Sequence, residues 1–182
     1  MLAGLFLSAW AVAAAPGPGA AATQLVREAC IGTVMQKDAF ERLGRERRWR
    51  SAPLATPLAE PGAWFAGFQT SDALITLSKT PNRPGTPDVN TIACTVVSSD
   101  IGDGWLPAVE VLVAEMGLDV VDVVSALPPT EEVHVWSDGP GGQTLVVTYI
   151  PERRRLSIAY MTREPPGLPD MLKSGTDVPS LR

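Results

Sequence analysis

The clearest strand pattern in the chain is in VHVWSDGPGGQTLVVTYIPERRRLSIAYMTR, residues 133–163. Apolar and polar residues alternate over 133–137, 143–150 and 156–163, and the two connections between these segments are rich in Gly, Pro and charge. Alternation with a period of two is typical of β-strands that bury one face, and such short connections are typical of antiparallel neighbours. The stretch therefore predicts a three-stranded β-meander at the end of the domain.

Further strands are predicted upstream of this meander. Residues 64–69 and 73–79 flank a Thr-Ser-Asp turn, which indicates a hairpin, and residues 90–98 form the next strand with Cys94 at its centre. The Pro-rich residues 81–87 cannot pair and are predicted to be a loop. We therefore expect an antiparallel sheet of about six strands.

Helical periodicity occurs twice in the chain. An apolar stripe that includes Cys30 begins at Thr23, and the pattern extends to about Trp49, either as one helix or with a second short helix capped by Asp38. Residues 106–116 repeat the periodicity and end at a glycine, as helices commonly do. The expected fold class is α+β, with these two helices packed on one face of the sheet.

One segment fits two kinds of secondary structure. Residues 119–127 fit a strand by their valines and a helical turn by the spacing of those valines. No internal repeat is visible at the periods of 20 to 50 residues that mark solenoids.

The amino terminus predicts export. Residues 2–15 are an uncharged apolar run, too short to span a bilayer, and an A-x-A cleavage pattern ends at Ala22. We therefore expect a signal peptide over 1–22 and a single domain over 23–163 that contains no further membrane span. The first residues carry no Lys or Arg, which leaves the choice of start codon open. The Pro-rich residues 164–182 are expected to form a disordered tail.

Cysteine usage agrees with export. Cys30 and Cys94 are the two cysteines of the chain, and a single disulfide between them is the simplest interpretation in an oxidising compartment, with two buried thiols as the alternative. Arg, Ala, Gly and Pro are abundant, which is typical of GC-rich coding and indicates a bacterial host. The predicted location is therefore the periplasm or the medium.

Charge and composition argue against several classes of function. The chain has 15 Lys and Arg against 20 Asp and Glu, a formal net charge of −5, whereas neutralising the phosphates of a nucleic acid requires a basic face. The single histidine and the lack of a nucleotide or metal motif predict neither a cofactor nor a metal site. We expect no nucleic-acid partner.

Two hypotheses of function remain. Arg47, Arg48, Trp49 and Arg50 combine cations with a large ring, and the favoured hypothesis is a non-catalytic module that binds an envelope protein or an anionic polymer with these residues. A solvated helix end is the structural alternative for this cluster. The second hypothesis is a small periplasmic hydrolase that uses His134, the one residue able to act as an imidazole base.

Overall fold

A computed structural model of the chain describes residues 17–53, 62–80, 91–121, 131–139 and 142–163. Within these ranges the fold is α+β, with one antiparallel sheet of eight strands. The predicted tail and most of the predicted signal peptide lie outside the described residues.

The strands are numbered in chain order. They are β1 (Arg50–Ser51), β2 (Trp64–Gln69), β3 (Ala73–Thr80), β4 (Thr91–Ser98), β5 (Asp119–Val120), β6 (Glu132–Ser137), β7 (Thr144–Ile150) and β8 (Arg155–Arg163). Their order across the sheet is β1-β2-β3-β4-β8-β7-β6-β5, and every neighbouring pair is antiparallel. The predicted hairpin and the predicted terminal meander are both present.

The expected count of about six strands is too low by two. The additional strands, β1 and β5, have two residues each, which is too short to produce a visible alternation. They exist because each pairs with a longer neighbour, β1 with β2 and β5 with β6. The ambiguous segment 119–127 thus begins as a strand, and its residues from 122 onward lie outside the described ranges.

The helices are α1 (Ala20–Leu25), which continues as a π-helical turn (Val26–Ile31), then α2 (Lys37–Glu46) and α3 (Leu106–Met116). The expected count of two helices is therefore too low by one. The pattern from Thr23 to Trp49 is interrupted at Val34 and Met35, which have φ angles of 51° and 53°. Left-handed backbone cannot continue a right-handed helix, so α2 starts separately.

The helices lie on one face of the sheet, and the core lies between the helices and that face. A disulfide joins Cys30 in the π-helical turn to Cys94 in β4, with the two Cα atoms 5.6 Å apart, and both residues are fully buried. Phe40 of α2 packs on Phe68 of β2, and Trp105, which precedes α3, packs on Tyr149 of β7. The sheet face that carries Cys94 is therefore the covered face.

The first helix begins before the predicted cleavage site. Ala22 and Thr23 lie within α1, both are buried, and the Thr23 hydroxyl donates to the Ala20 carbonyl at 3.0 Å. Cleavage after Ala22 would remove the first turn of α1 from the core. The position of cleavage stays a prediction.

The sheet has a symmetric order that the sequence does not reveal. In each half a helical segment is followed by a two-residue edge strand and three long strands, β1 to β4 in one half and β5 to β8 in the other. The halves meet where β4 pairs with β8. The two edges of the sheet are therefore β1, from the first half, and β5, from the second half.

Candidate functional site

The carboxyl end of α2 orients Arg48 and Trp49. The Arg48 amide donates to the Arg45 carbonyl at 3.1 Å and the Trp49 amide to the Gly44 carbonyl at 2.9 Å, which is a Schellman turn. Arg48 occupies its left-handed position with a φ of 56°. A side chain there costs about 1 kcal/mol relative to glycine, and strain of this kind concentrates at functional sites.

Trp49 connects this turn to the core. Its ring is half-buried, with its centroid 6.2 Å from that of Phe68, and Phe68 in turn lies 5.4 Å from Phe40. Gly44 lies directly under the Phe68 ring. The exposed part of the Trp49 ring is therefore held in one orientation by a packed aromatic row.

A shallow polar groove of about 590 Å³ opens beside this ring, and we call it the Arg48 groove. Its lining residues come from two parts of the chain: Arg48, Trp49 and Arg50 on one side and Gln69, Thr70 and Ser71 on the other. The pairing of Arg50 with Gln69 between β1 and β2 brings the sides together, and Arg50 Nη2 donates to Gln69 Oε1 at 2.6 Å.

The two arginines of the groove differ in their partners. Arg50 is held by Gln69, whereas the Arg48 side chain has no hydrogen bond or ion pair to any other described residue. Asp72 is the acidic neighbour of the groove, and its carboxylate accepts a hydrogen bond from the Ser71 hydroxyl at 2.8 Å. The Arg48 guanidinium therefore presents free donors to a ligand.

Arg47, the fourth residue of the predicted cluster, does not line the groove. Its Nη2 atom lies 3.0 Å from Glu28 Oε2, so it connects α2 to the π-helical turn. The structure brings three of the four predicted residues together and adds Gln69, Thr70 and Ser71. Sequence reasoning missed those three because only the pairing of β1 with β2 places them beside Arg48.

His134 lies at the other end of the sheet among aromatic rings. Its ring stacks on Trp136 with centroids 5.6 Å apart and an interplanar angle of 12°, and the Trp105 ring meets it edge-on at 5.4 Å. It lines a hollow of about 210 Å³ with Glu110 and apolar residues. The described residues that line this hollow include no serine, threonine or cysteine that an imidazole could activate.

A further hollow of about 590 Å³ lies between α2 and β2 and is lined by Glu41, Arg45, Trp64 and other residues. Pro53 and Ala63 form part of its wall. Residues 54–61, which lie between them in the sequence, are outside the described ranges. No ligand is assigned to this hollow for that reason.

Searches for other features among the described residues give two results. No three His, Cys, Asp or Glu side chains gather there in a way that could hold a metal ion. None of the helices found in the same ranges has the length and apolar character needed to cross a membrane.

Comparisons of the chain with protein-family models, with curated proteins and with solved structures found no match. The function of the protein therefore has to be inferred from its own residues and their geometry. In the Arg48 groove an arginine without a partner among the described residues lies with an oriented ring and hydroxyl groups.

Proposed function

We propose that this protein is an exported, non-catalytic binding module that holds an anionic group of an envelope polymer or protein in the Arg48 groove. The observation that carries the proposal is the position of Arg48, Trp49 and Arg50 on one wall of a groove, with the Arg48 guanidinium unpaired among the described residues. The disulfide and the lack of a membrane-spanning helix among those residues are compatible with export.

The chemistry of the groove suits a carboxylate or a phosphate. A guanidinium is planar and can donate two parallel hydrogen bonds to either anion, and the adjacent indole face can stack on a ring of the ligand. The chain as a whole is acidic, with a formal net charge of −5, so its net charge does not attract a polyanion. Binding is therefore expected to depend on the two cations of the groove.

The experiment measures the fluorescence anisotropy of two labelled polyanions, poly-glutamate and polyphosphate, titrated with the purified protein. These probes separate carboxylate from phosphate recognition. Arg48→Gly and Arg50→Gln are each expected to weaken binding about 3- to 10-fold at low ionic strength and less at high, because salt screens charges at the surface. Equal affinity of the wild type and both variants would refute the proposal.

Two control variants remove an arginine elsewhere. Arg47→Gln takes away the residue that pairs with Glu28, and Arg154→Gly takes away a second arginine at a left-handed position, with a φ of 47°. Neither residue lines the Arg48 groove. Both variants are expected to bind the probes like the wild type, and a loss as large as that of Arg48→Gly would mean that only net charge matters.

Arg48→Gly carries an internal control for folding. Glycine is the preferred residue at this Schellman position, so this variant is expected to unfold at higher denaturant, with a gain of about 1 kcal/mol. If the variant is more stable but binds the probe more weakly, the weaker binding comes from the missing Arg48 side chain and not from unfolding. Weakened binding together with weakened stability would contradict the assigned role of Arg48.

His134→Ala tests the hydrolase hypothesis in the same preparation. Probe binding is expected to be unchanged, because His134 lies beside β5, at the sheet edge opposite β1. Loss of probe binding in a folded His134→Ala protein would contradict the assignment of binding to the Arg48 groove, and hydrolysis of a probe by the wild type but not by this variant would favour catalysis at His134.

A further inference from the structure

The sheet face opposite the helices, which we call the open face, carries small and β-branched side chains. Strand alternation and the pairing register place these residues on it: Leu74, Thr76 and Ser78 of β3; Ala93, Thr95 and Val97 of β4; Ser157, Ala159 and Met161 of β8; Thr144, Val146 and Thr148 of β7; and Val133, Val135 and Ser137 of β6. No described helix packs on this face, because the helices contact the side that carries Cys94.

The open face is uncharged at its centre and charged at its border. The interior positions just given contain no Asp, Glu, Lys or Arg, although charged residues make up 19% of the chain. Arg155 and Arg163 lie on the same face at the two ends of β8, and Asp119 lies at its border in β5. An uncharged interior with a charged rim is the usual composition of a protein–protein interface.

The size of the open face suits a stable contact. The five strands that carry it are six to nine residues long. At a spacing of about 4.8 Å and a mean length of about 25 Å they give roughly 600 Å² on each molecule. Two such faces in contact would bury about 1,200 Å², the lower limit for specific interfaces. The sheet edges offer no comparable surface, because β1 and β5 have only two residues each.

The chemistry of the open face points to a second copy of the same face. Its polar groups are hydroxyls such as Thr76, Thr95 and Thr148, which both donate and accept hydrogen bonds, so one such face can complement another. We propose that two copies of this chain pack open face to open face around a two-fold axis, with the helices outside. This dimer is independent of the Arg48 groove, which lies at the β1 edge.

Sedimentation velocity of the purified full chain tests the dimer over a range of concentrations. The expected mass at about 100 µM is twice the 19.3 kDa of one chain. Ala159→Glu places a carboxylate at the centre of the face, opposite Thr95. In a two-fold dimer the carboxylates of the two copies are then buried near each other and repel. The dissociation constant of the dimer is therefore expected to rise about 100-fold or more.

Val111→Glu is the matched control, because it adds the same charge to the exposed surface of α3, where Val111 is 55% exposed. It is expected to dimerise like the wild type. Thr76→Lys repeats the test with the opposite charge on β3, which β4 separates from β8, in case Ala159→Glu does not fold by circular dichroism.

Two results would overturn the proposal. The first is a wild-type chain that stays monomeric at the highest concentration, which would mean that the open face is solvated or has another occupant. The second is a folded Ala159→Glu or Thr76→Lys variant that dimerises as tightly as the wild type. Neither result bears on polyanion binding, so this proposal and the proposed function can fail separately.

Discussion

The two ends of the sheet each hold a group of aromatic rings, but the rings have different neighbours. At the β1 end, Trp49 packs on Phe68 and lines the same groove as Arg48, whose guanidinium has no partner among the described residues. At the β5 end, His134 has Trp136 stacked on its ring and Trp105 against it edge-on. Packed rings therefore do not by themselves mark a binding site. The two ends differ in the sign of the charge beside the rings, which is the Arg48 guanidinium at the β1 end and the Glu110 carboxylate at the β5 end.

Two arginines in left-handed turns extend this comparison. Arg154 donates from Nη2 to the Asp100 carbonyl at 3.3 Å, and its own carbonyl accepts a hydrogen bond from the Ile101 amide at 2.9 Å. Arg48 has the same backbone strain and no such side-chain contact among the described residues. The Arg154 side chain therefore has a partner within the fold, whereas the Arg48 side chain has none among the described residues.

The largest change in unfolding free energy is expected on removing the disulfide, which lies in the first half of the chain. The Cys30→Ala/Cys94→Ala double variant is expected to lose about 4 kcal/mol of unfolding free energy, because the bridge closes a loop of 64 residues. Urea denaturation of the variant beside oxidised and reduced wild type measures this loss. A loss below about 1 kcal/mol would mean that the helical layer holds the first half of the sheet without the bridge.

A smaller effect is expected from the aromatic row under Trp49. A Cβ atom at Gly44 would lie well inside van der Waals contact with the Phe68 ring, so Gly44→Ala is expected to destabilise the protein by about 2 kcal/mol. This outweighs the roughly 1 kcal/mol that alanine gains over glycine within a helix. Gly102→Ala, where a Cβ atom meets nothing within 4 Å, is the control. A Gly44→Ala protein as stable as wild type would show that Phe68 can move.

The smallest change in unfolding free energy is expected for a substitution of Tyr149, in the second half of the chain. Its hydroxyl contacts Asp103 Oδ1 at 3.0 Å and the Ile101 carbonyl at 3.2 Å, so Tyr149→Phe is expected to cost about 1 kcal/mol at neutral pH. Burial, then the hydrogen bond to Asp103 and its negative charge, raise the pKa of Tyr149 above its usual value of 10.0.

The sign of this shift predicts a pH dependence. Because the folded state holds the Tyr149 proton more tightly than the unfolded state, its contribution to stability is complete below about pH 10 and falls as pH rises through the higher folded pKa. The difference in unfolding free energy between wild type and Tyr149→Phe should therefore shrink at high pH. A difference that is constant from pH 7 to pH 11 would contradict this assignment.

Much of the fold follows from local patterns. The last three strands were predicted to within a residue, because each is six or more residues long and lies between turn-forming segments, and β7 buries alternate side chains along its whole length. Helix α3 has the predicted bounds, since Gly117 takes a φ of 65° at its end and stops the helix. Local patterns failed at Val34 and Met35, where the turn between the helices depends on how Cys30 and Phe40 pack.

Residue type and spacing along the chain were enough to predict the long strands, helix α3, the acidic net charge and the basic cluster around Trp49. Which members of that cluster share a groove depends on tertiary contacts. Arg47 and Arg48 are chemically identical neighbours, yet the left-handed turn at Arg48 sends one side chain to Glu28 and the other to the groove. Residues 69–71 complete that groove through the pairing of β1 with β2, a long-range contact that no local pattern encodes.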